Sequence, residues 1–351
     1  MLTFAPGPSK VYDKLPQYMQ EAYEKGILSA NHRSAAFMNL YQETETLMKE
    51  KLHLPEGYRL LFTSSATESW EIISQSIVQS SSYHIFSGSF GKKWFNYAKH
   101  ILPDSFGLTI GAEDTIDIEG LDIGEDFDLI AVTQNETSNA TQVSNATIAA
   151  IANKYPEKMI AVDTTSSMAG IELDFKLADI WYASVQKCFG LPAGLGILLV
   201  SPKAITKAKD KGETGRYNSL NFILENAQSY QTHYTPNVFG IYLLKRVLQD
   251  MQEIQHVESI TRERMRKLED AIAHTAKFRL LIQNPEARSS TVMAVTGREE
   301  FISEVKKNAE KEGMQLGSGY GPLKPTSFRI ANFPAITDEE VDRLLAFLKK
   351  Y

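Results

Sequence analysis

The sequence predicts an α/β fold: a mainly parallel sheet with helices on both faces, followed by a smaller α+β unit. Three observations lead there. Short apolar runs alternate with amphipathic stretches through the first two thirds of the chain, as they do where parallel strands are joined by crossover helices. Several of these runs end in a small or charged polar residue followed by a loop, at Thr63, Ser87, Gln134 and Asp163. Open α/β sheets bind ligands beyond the carboxyl ends of their strands. The last third changes to long helical patterns with isolated strands between them.

Taken in order, strands are expected at 59–62, 83–86, 129–133, 159–162, 180–183 and 197–200. Each is a brief apolar run bounded by polar or turn residues. The intervening stretches 68–78, 92–100 and 146–154 carry apolar residues at helical spacing. Beyond them, 236–250 and 257–275 read as a long connecting helical region, 291–295 as a strand and 299–311 as a helix. The glycines at 317, 319 and 321 mark a loop, and 327–331 a further strand. A capping box, Thr337 with Glu340 three residues on, opens the final helix through Val341, Leu344, Leu345 and Leu348.

With 351 residues the chain is long enough for a large core and two domains. Its net charge of −6 gives no electrostatic reason to expect nucleic acid or an anionic membrane as partner. The start, Met1-Leu2-Thr3-Phe4-Ala5-Pro6, lacks the basic and apolar regions of a signal peptide. The one cysteine, Cys188, fits a reducing compartment, so a cytoplasmic location is expected. The sequons at Asn135, Asn139 and Asn145 then read as accidental. No HExxH, paired-cysteine or EF-hand spacing is present, and no metal is expected.

The stretch Ser184-Val185-Gln186-Lys187-Cys188-Phe189-Gly190 places one lysine between two strand candidates, beside small residues that leave room for a ligand. Lys187 reads as an amine for covalent chemistry with a carbonyl, most simply the aldehyde of pyridoxal phosphate. A solvated strand-end lysine is the plainer alternative. Asp163 ends the preceding strand candidate, where a carboxylate can pair with a pyridinium nitrogen or simply cap a helix. Ser64-Ser65-Ala66-Thr67-Glu68 opens a helix and offers hydroxyls and amides to a phosphate, or only an N-cap at Thr67.

Gly88-Ser89-Phe90-Gly91 puts an aromatic ring among small residues, able to stack on a flat cofactor or to fill core. His32 and Arg33 are candidates for binding an anion. Arg329 lies inside an apolar strand pattern and needs either a substrate carboxylate or a structural acid.

In order along the chain, these segments resemble the class V group of fold-type I pyridoxal phosphate aminotransferases. That resemblance implies a large domain, 12–240, with a seven-stranded sheet, and a small domain, 241–351, joined by residues 1–11. It implies pyridoxal 5'-phosphate as cofactor, with Ala66, Thr67 and Glu68 in its phosphate cup. By the same likeness Phe90 lies on its ring, Thr137 is at its 3-oxygen, Asp163 is at the ring nitrogen and Thr165 is a neighbouring hydroxyl near the cofactor. Gln186 matches a phosphate contact and Lys187 the covalent lysine. Tyr234 and Thr235 match a segment lent to the neighbouring subunit, implying a homodimer with shared sites, and Arg329 matches the arginine for the substrate α-carboxylate.

Within the group, the opening Phe4-Ala5-Pro6-Gly7-Pro8 and the His32-Arg33 segment resemble the phosphoserine branch. There Lys324 would join His32 and Arg33 around the phosphate. The Lys187-to-Gly194 and Gly319-to-Pro322 stretches resemble the alanine- or serine-glyoxylate branch. A phosphoserine:2-oxoglutarate aminotransferase is the leading expectation, with a glyoxylate-using enzyme and a catalytically silent cofactor-binding relative as alternatives. A cysteine desulfurase is disfavoured because Cys188 adjoins the lysine, where a buried packing thiol is expected. A dehydrogenase is disfavoured because no G-x-G-x-x-G follows the first strand.

Overall fold

The computed structural model of the chain describes residues 1–351, arranged as two sheets and their covering helices. In chain order, β1 (Leu2–Phe4) leads to α1 (Leu15–Glu24) and α2 (Ala35–Leu52), then β2 (Arg59–Thr63), α3 (Ala66–Ser76) and β3 (Ser81–Phe86). Next come α4 (Ser89–Ile101), β4 (Phe106–Thr109), β5 (Phe127–Thr133) and a short hairpin of β6 (Asn135–Glu136) with β7 (Thr141–Gln142). They are followed by α5 (Asn145–Lys154), β8 (Met159–Asp163), β9 (Ile180–Ser184), β10 (Gly196–Val200), α6 (Pro202–Lys211) and α7 (Leu220–Ala227). The remainder comprises α8 (Val238–Asp250), α9 (Ile254–Ala273), β11 (Phe278–Leu280), β12 (Val292–Gly297), α10 (Glu299–Lys311), β13 (Met314–Ser318), β14 (Ser327–Ala331) and α11 (Asp338–Leu348).

The larger sheet has the order β2-β10-β9-β8-β5-β3-β4. Pairing is parallel from β9 through β8, β5 and β3 to β4, whereas β10 is antiparallel to both neighbours. All strands but β10 therefore point the same way. Strands β3, β8, β9 and β10 are buried at every position because helices cover both faces, which explains the largely apolar composition of the last three; β3 buries Ser81, Ser82 and His84 as well. The smaller sheet, β1-β13-β14-β12-β11, is antiparallel except for β1 beside β13. One contiguous core of 94 buried apolar residues serves both sheets. No helix is long and apolar enough to cross a membrane.

Most expected strands and helices appear within a few residues of their predicted bounds. The capping box at Thr337 and Glu340 forms, each side chain bonding the other's backbone N–H. Gly317 and Ser318, expected in a loop, instead complete β13, because they pair with Arg329 and Phe328 of β14. Helices α1 and α2 were not anticipated. Helix α2 begins at a Ser34 N-cap, whose hydroxyl accepts from Phe37 N–H, and ends with Lys49 and Lys51 in its last turn.

The N-terminal segment straps the two sheets together. After pairing beside β13, the chain passes Pro6 under Gly317 and Gly7 beside Lys187, where an added Cβ would stand 3.3 Å from the lysine Cε. Ser9 N–H then donates to Gln186 O at 3.1 Å and Tyr12 N–H to Gly190 O at 3.1 Å. Only then does the segment enter α1.

Candidate active site

The parallel strands end together on one side of the larger sheet, and the candidate residues lie there. Thr133, Asp163 and Tyr182 stand in register on β5, β8 and β9. Gly196 stands in register with both Ser184 and Thr63. A side chain at 196 would meet the Ser65 backbone at 2.6 Å, so glycine there lets the start of α3 approach β9.

Lys187 lies in the turn between β9 and β10 and is only 7% exposed. Its Nζ donates to Thr137 Oγ1 at 2.8 Å. The solvated alternative therefore fails. Burial holds its pKa at about 8, against the opposing pull of Asp163 and Glu136, so a substantial fraction is a neutral nucleophile near physiological pH. Cys188 is buried, its thiol donates to Ser166 O at 3.3 Å, and burial pushes its pKa up: it is a packing group.

Asp163 is 4% exposed. It does accept from a local backbone amide: Thr165 donates to Oδ1 from both N–H, at 2.9 Å, and Oγ1, at 2.5 Å. Burial nevertheless raises its pKa above the usual carboxylate value, with the Thr165 bonds and Lys187 opposing. Tyr182, not anticipated from sequence, borders it and receives the Trp70 indole N–H at 2.8 Å.

Phe90 presents its ring to Lys187, whose Nζ lies 5.3 Å from the ring centroid. It is held there by Glu136, another residue that sequence patterning missed. This carboxylate accepts from Phe90 N–H at 2.9 Å, Gly91 N–H at 3.0 Å and Ser138 N–H at 2.9 Å. The first two are first-turn donors of α4 with no partner inside the helix, where a negative charge is favoured.

Arg329, on β14, donates from Nη1 to Thr137 O at 2.7 Å and from Nε to Ser318 O at 2.9 Å. No acid pairs with it, so the structural salt bridge is absent and burial lowers its pKa. Its guanidinium carbon lies 5.5 Å from the Tyr320 ring centroid. The Tyr320 and Phe90 rings are 5.0 Å apart. Thr137 thus joins the lysine through its hydroxyl and the arginine through its carbonyl.

The start of α3 is capped by Ser65, whose hydroxyl accepts from Glu68 N–H, rather than by Thr67, which is exposed. The reason is the extended backbone at Ser65. Ala66 N–H donates to Ser184 Oγ at 3.1 Å, and the Glu68 carboxylate takes Ser64 N–H and the Tyr217 phenol. Gln186 is half-buried beside Lys187. Tyr234 stacks edge-on to His233 at 4.8 Å, and Thr235 is exposed. The electrostatic influence of Glu68 on Tyr234 places that segment near the same helix start.

Three expected anion contacts are not drawn in. Arg33 and Lys324 are exposed, His32 is half-buried at the approach to α2, and none bonds to Lys187, Asp163 or Arg329. Of the sequon residues, Asn135 and Asn139 are buried and occupied in hydrogen bonds.

A depressed, buried amine facing an aromatic ring, with a buried carboxylate on the adjoining strand, is an arrangement in which a lysine can act on a carbonyl. Comparison with known sequences narrows that class. The chain belongs to the class-V aminotransferase family, matching it over residues 4–344.

A phosphoserine aminotransferase of Rhodococcus opacus is 26% identical over 97% of this chain and 92% of its own. One from Listeria monocytogenes is 26% identical over 99% and 95%. Among solved structures, a phosphoserine aminotransferase from Cytophaga hutchinsonii superposes with a TM-score of 0.95 at 33% identity, covering 99% of this chain and 98% of that one. An alanine–glyoxylate aminotransferase from Nostoc shares the fold at 18% identity, with a TM-score of 0.83 over 99% and 94%. The chain is an aminotransferase.

Proposed function

We propose that this chain is a phosphoserine:2-oxoglutarate aminotransferase using pyridoxal 5'-phosphate. The observation that carries the substrate is the 33% identity, over 99% of the chain, to the Cytophaga hutchinsonii phosphoserine aminotransferase. The donor set fits the cofactor: an amine with a pKa of about 8, a buried carboxylate, a ring face 5.3 Å from that amine and a helix start rich in hydroxyls. Ala66, Thr67, Glu68 and Gln186 would take its phosphate, Thr137 its 3-oxygen, and Asp163 with Thr165 its ring nitrogen. When bound, pyridoxal phosphate supplies the electron sink that lets a Cα–H bond break.

The chain's own residues do the rest. Lys187, neutral at its Nζ, accepts the Cα proton and returns it as general acid–base catalyst. With the cofactor bound, Asp163 would favour positive charge on its ring nitrogen, Phe90 would cover its ring and Arg329 would orient the substrate carboxylate. Burial of Lys187 and Asp163 excludes water from the proton's path.

A homodimer completes the site in this reading, Tyr234 and Thr235 crossing to the neighbour. The exposed Tyr217 and Phe222, which pack against His233 tilted and edge-on, support a covered face there. The division at 240/241, with residues 1–11 joining the halves, and a cytoplasmic location belong to the same proposal. So do the anion contacts of His32, Arg33 and Lys324, which fit the phosphate if the neighbour or a closure brings them together. Lys324 bonds none of Lys187, Asp163 and Arg329, which favours the second reading, a glyoxylate-using enzyme acting on alanine or serine.

Mixing the holoenzyme separately with phosphoserine, serine, alanine and glutamate, and following the cofactor's visible band, decides among these. A shift with phosphoserine supports the first reading. A shift with alanine or serine but not phosphoserine transfers support to the second. A shift with none leaves a silent relative.

A further inference from the structure

Lys93 has no place in the site as described so far, yet its ammonium group borders it. It lies one turn beyond Phe90 on α4, on the same face. Its Nζ stands 5.5 Å from the Phe90 ring centroid and 5.4 Å from that of Tyr320, and donates to the Tyr320 phenol at 2.7 Å. Lys187 shares the Phe90 ring with it, and Arg329 shares the Tyr320 ring. Three basic side chains are therefore gathered on two neighbouring aromatic rings, with no carboxylate ion-paired to any of them.

Two of the three have work in the proposed reaction. Lys187 handles the proton and Arg329 the α-carboxylate. Lys93 is held in place by a neutral phenol, a weaker partner for an ammonium group than any anion. An anion reaching the Lys93 ammonium group would displace the phenol and gain a charge-assisted bond. The cations expected to fill this role from sequence, His32, Arg33 and Lys324, make no bond to the cluster.

We propose that Lys93 binds the distal anionic group of the substrate, phosphate or carboxylate, and so sets preference for doubly anionic substrates. Tyr320 holds its ammonium group ready between turnovers. This rests on the reading of Lys187 and Arg329 given above, and deepens it by assigning the second anchor of the same site.

Equilibrium binding of unreactive probes tests it without turnover. Glutarate and 3-phosphonopropionate carry a carboxylate for Arg329 plus a distal carboxylate or phosphonate; butyrate carries the first alone. Titration calorimetry of the holoenzyme gives the affinity ratio of each dianion over butyrate, for wild type, Lys93→Met, Lys93→Gln and Lys93→Arg. The expected result is a ratio about tenfold lower in the Met and Gln variants, the scale of one charge-assisted hydrogen bond, and restored by Arg. The two probes also separate phosphate from carboxylate preference. A fall below threefold for both probes, an equal loss for butyrate, or a wild type that binds dianions no tighter than butyrate overturns the assignment. Idle phosphoserine in the activity assay would defeat the substrate proposed above and leave this ratio to be read on its own.

Discussion

The Lys187 amine donates a 2.8 Å hydrogen bond to the Thr137 hydroxyl, which itself donates to Ser166 Oγ at 2.9 Å. Ser166 passes its own hydrogen to Asn135 O at 3.0 Å. The lysine thus heads a directed chain of buried hydroxyls in which each bond polarises the next. Such a chain positions the amine without neutralising it. The nearby carboxylates Asp163 and Glu136 favour its charged form, but burial outweighs them.

Its pKa of about 8 sets a pH dependence. Below that value the amine is protonated and cannot attack an aldehyde; above it the amine is free. The rate at which apoenzyme takes up pyridoxal phosphate, read from the visible band, is expected to rise through pH 8 and flatten above it. An ordinary lysine would keep gaining until about pH 10.4. A rate still climbing tenfold per unit at pH 9.5 would contradict the depressed value. Lys187→Ala should form no covalent band at any pH.

Replacing Asp163 by Asn removes the buried charge while keeping its shape. The expected result is a loss of at least about 10²-fold in turnover, the scale of one preorganised electrostatic contact in an active site. Cofactor should still bind, since Lys187 is untouched. Stopped-flow half-reactions with the amino donor check this, and turnover within fivefold of wild type would refute it.

Glu136→Gln tests the carboxylate that fixes Phe90. A glutamine has one acceptor oxygen, so its NH₂ must face either the Phe90 and Gly91 amides or that of Ser138. A buried donor loses its partner, costing about 1–3 kcal/mol. Denaturant unfolding should show that loss, accompanied by weaker cofactor binding as Phe90 loosens. Unchanged values in both measurements would mean that the carboxylate carries no positional load.

Gly196→Ala forces a methyl against the Ser65 backbone. Over-packing of this kind costs about 1–3 kcal/mol. It pushes the start of α3 away from Ser184, so cofactor affinity should fall more than overall stability. Parallel titrations with pyridoxal phosphate and with urea compare the two; equal losses would show that the contact is only structural.

The reach of sequence patterning follows the distance over which each feature is defined. Lys187, Asp163 and Phe90 were legible because strand, polar end and loop lie within a few residues of each other. Arg329 stood out as a charge in an apolar strand. Glu136 and Lys93 did not, since their roles rest on partners 46 and 227 residues away. Nothing local distinguishes them from solvated charges. Helix α2 escaped for another reason: its buried face includes Thr44 and Glu45, which break the apolar stripe. The position of β13 depended on its pairing with β14, so its two last residues passed for loop.

The strap formed by the first twelve residues ties the edge strand β1 to the turn that carries Lys187. This segment is therefore a handle on the turn that holds the buried Lys187. Cleavage, fusion or labelling ahead of Ser9 acts on the lysine's own loop rather than on a passive tail. Protease sensitivity of that segment accordingly reports how firmly the strap grips the loop, using neither chromophore nor substrate.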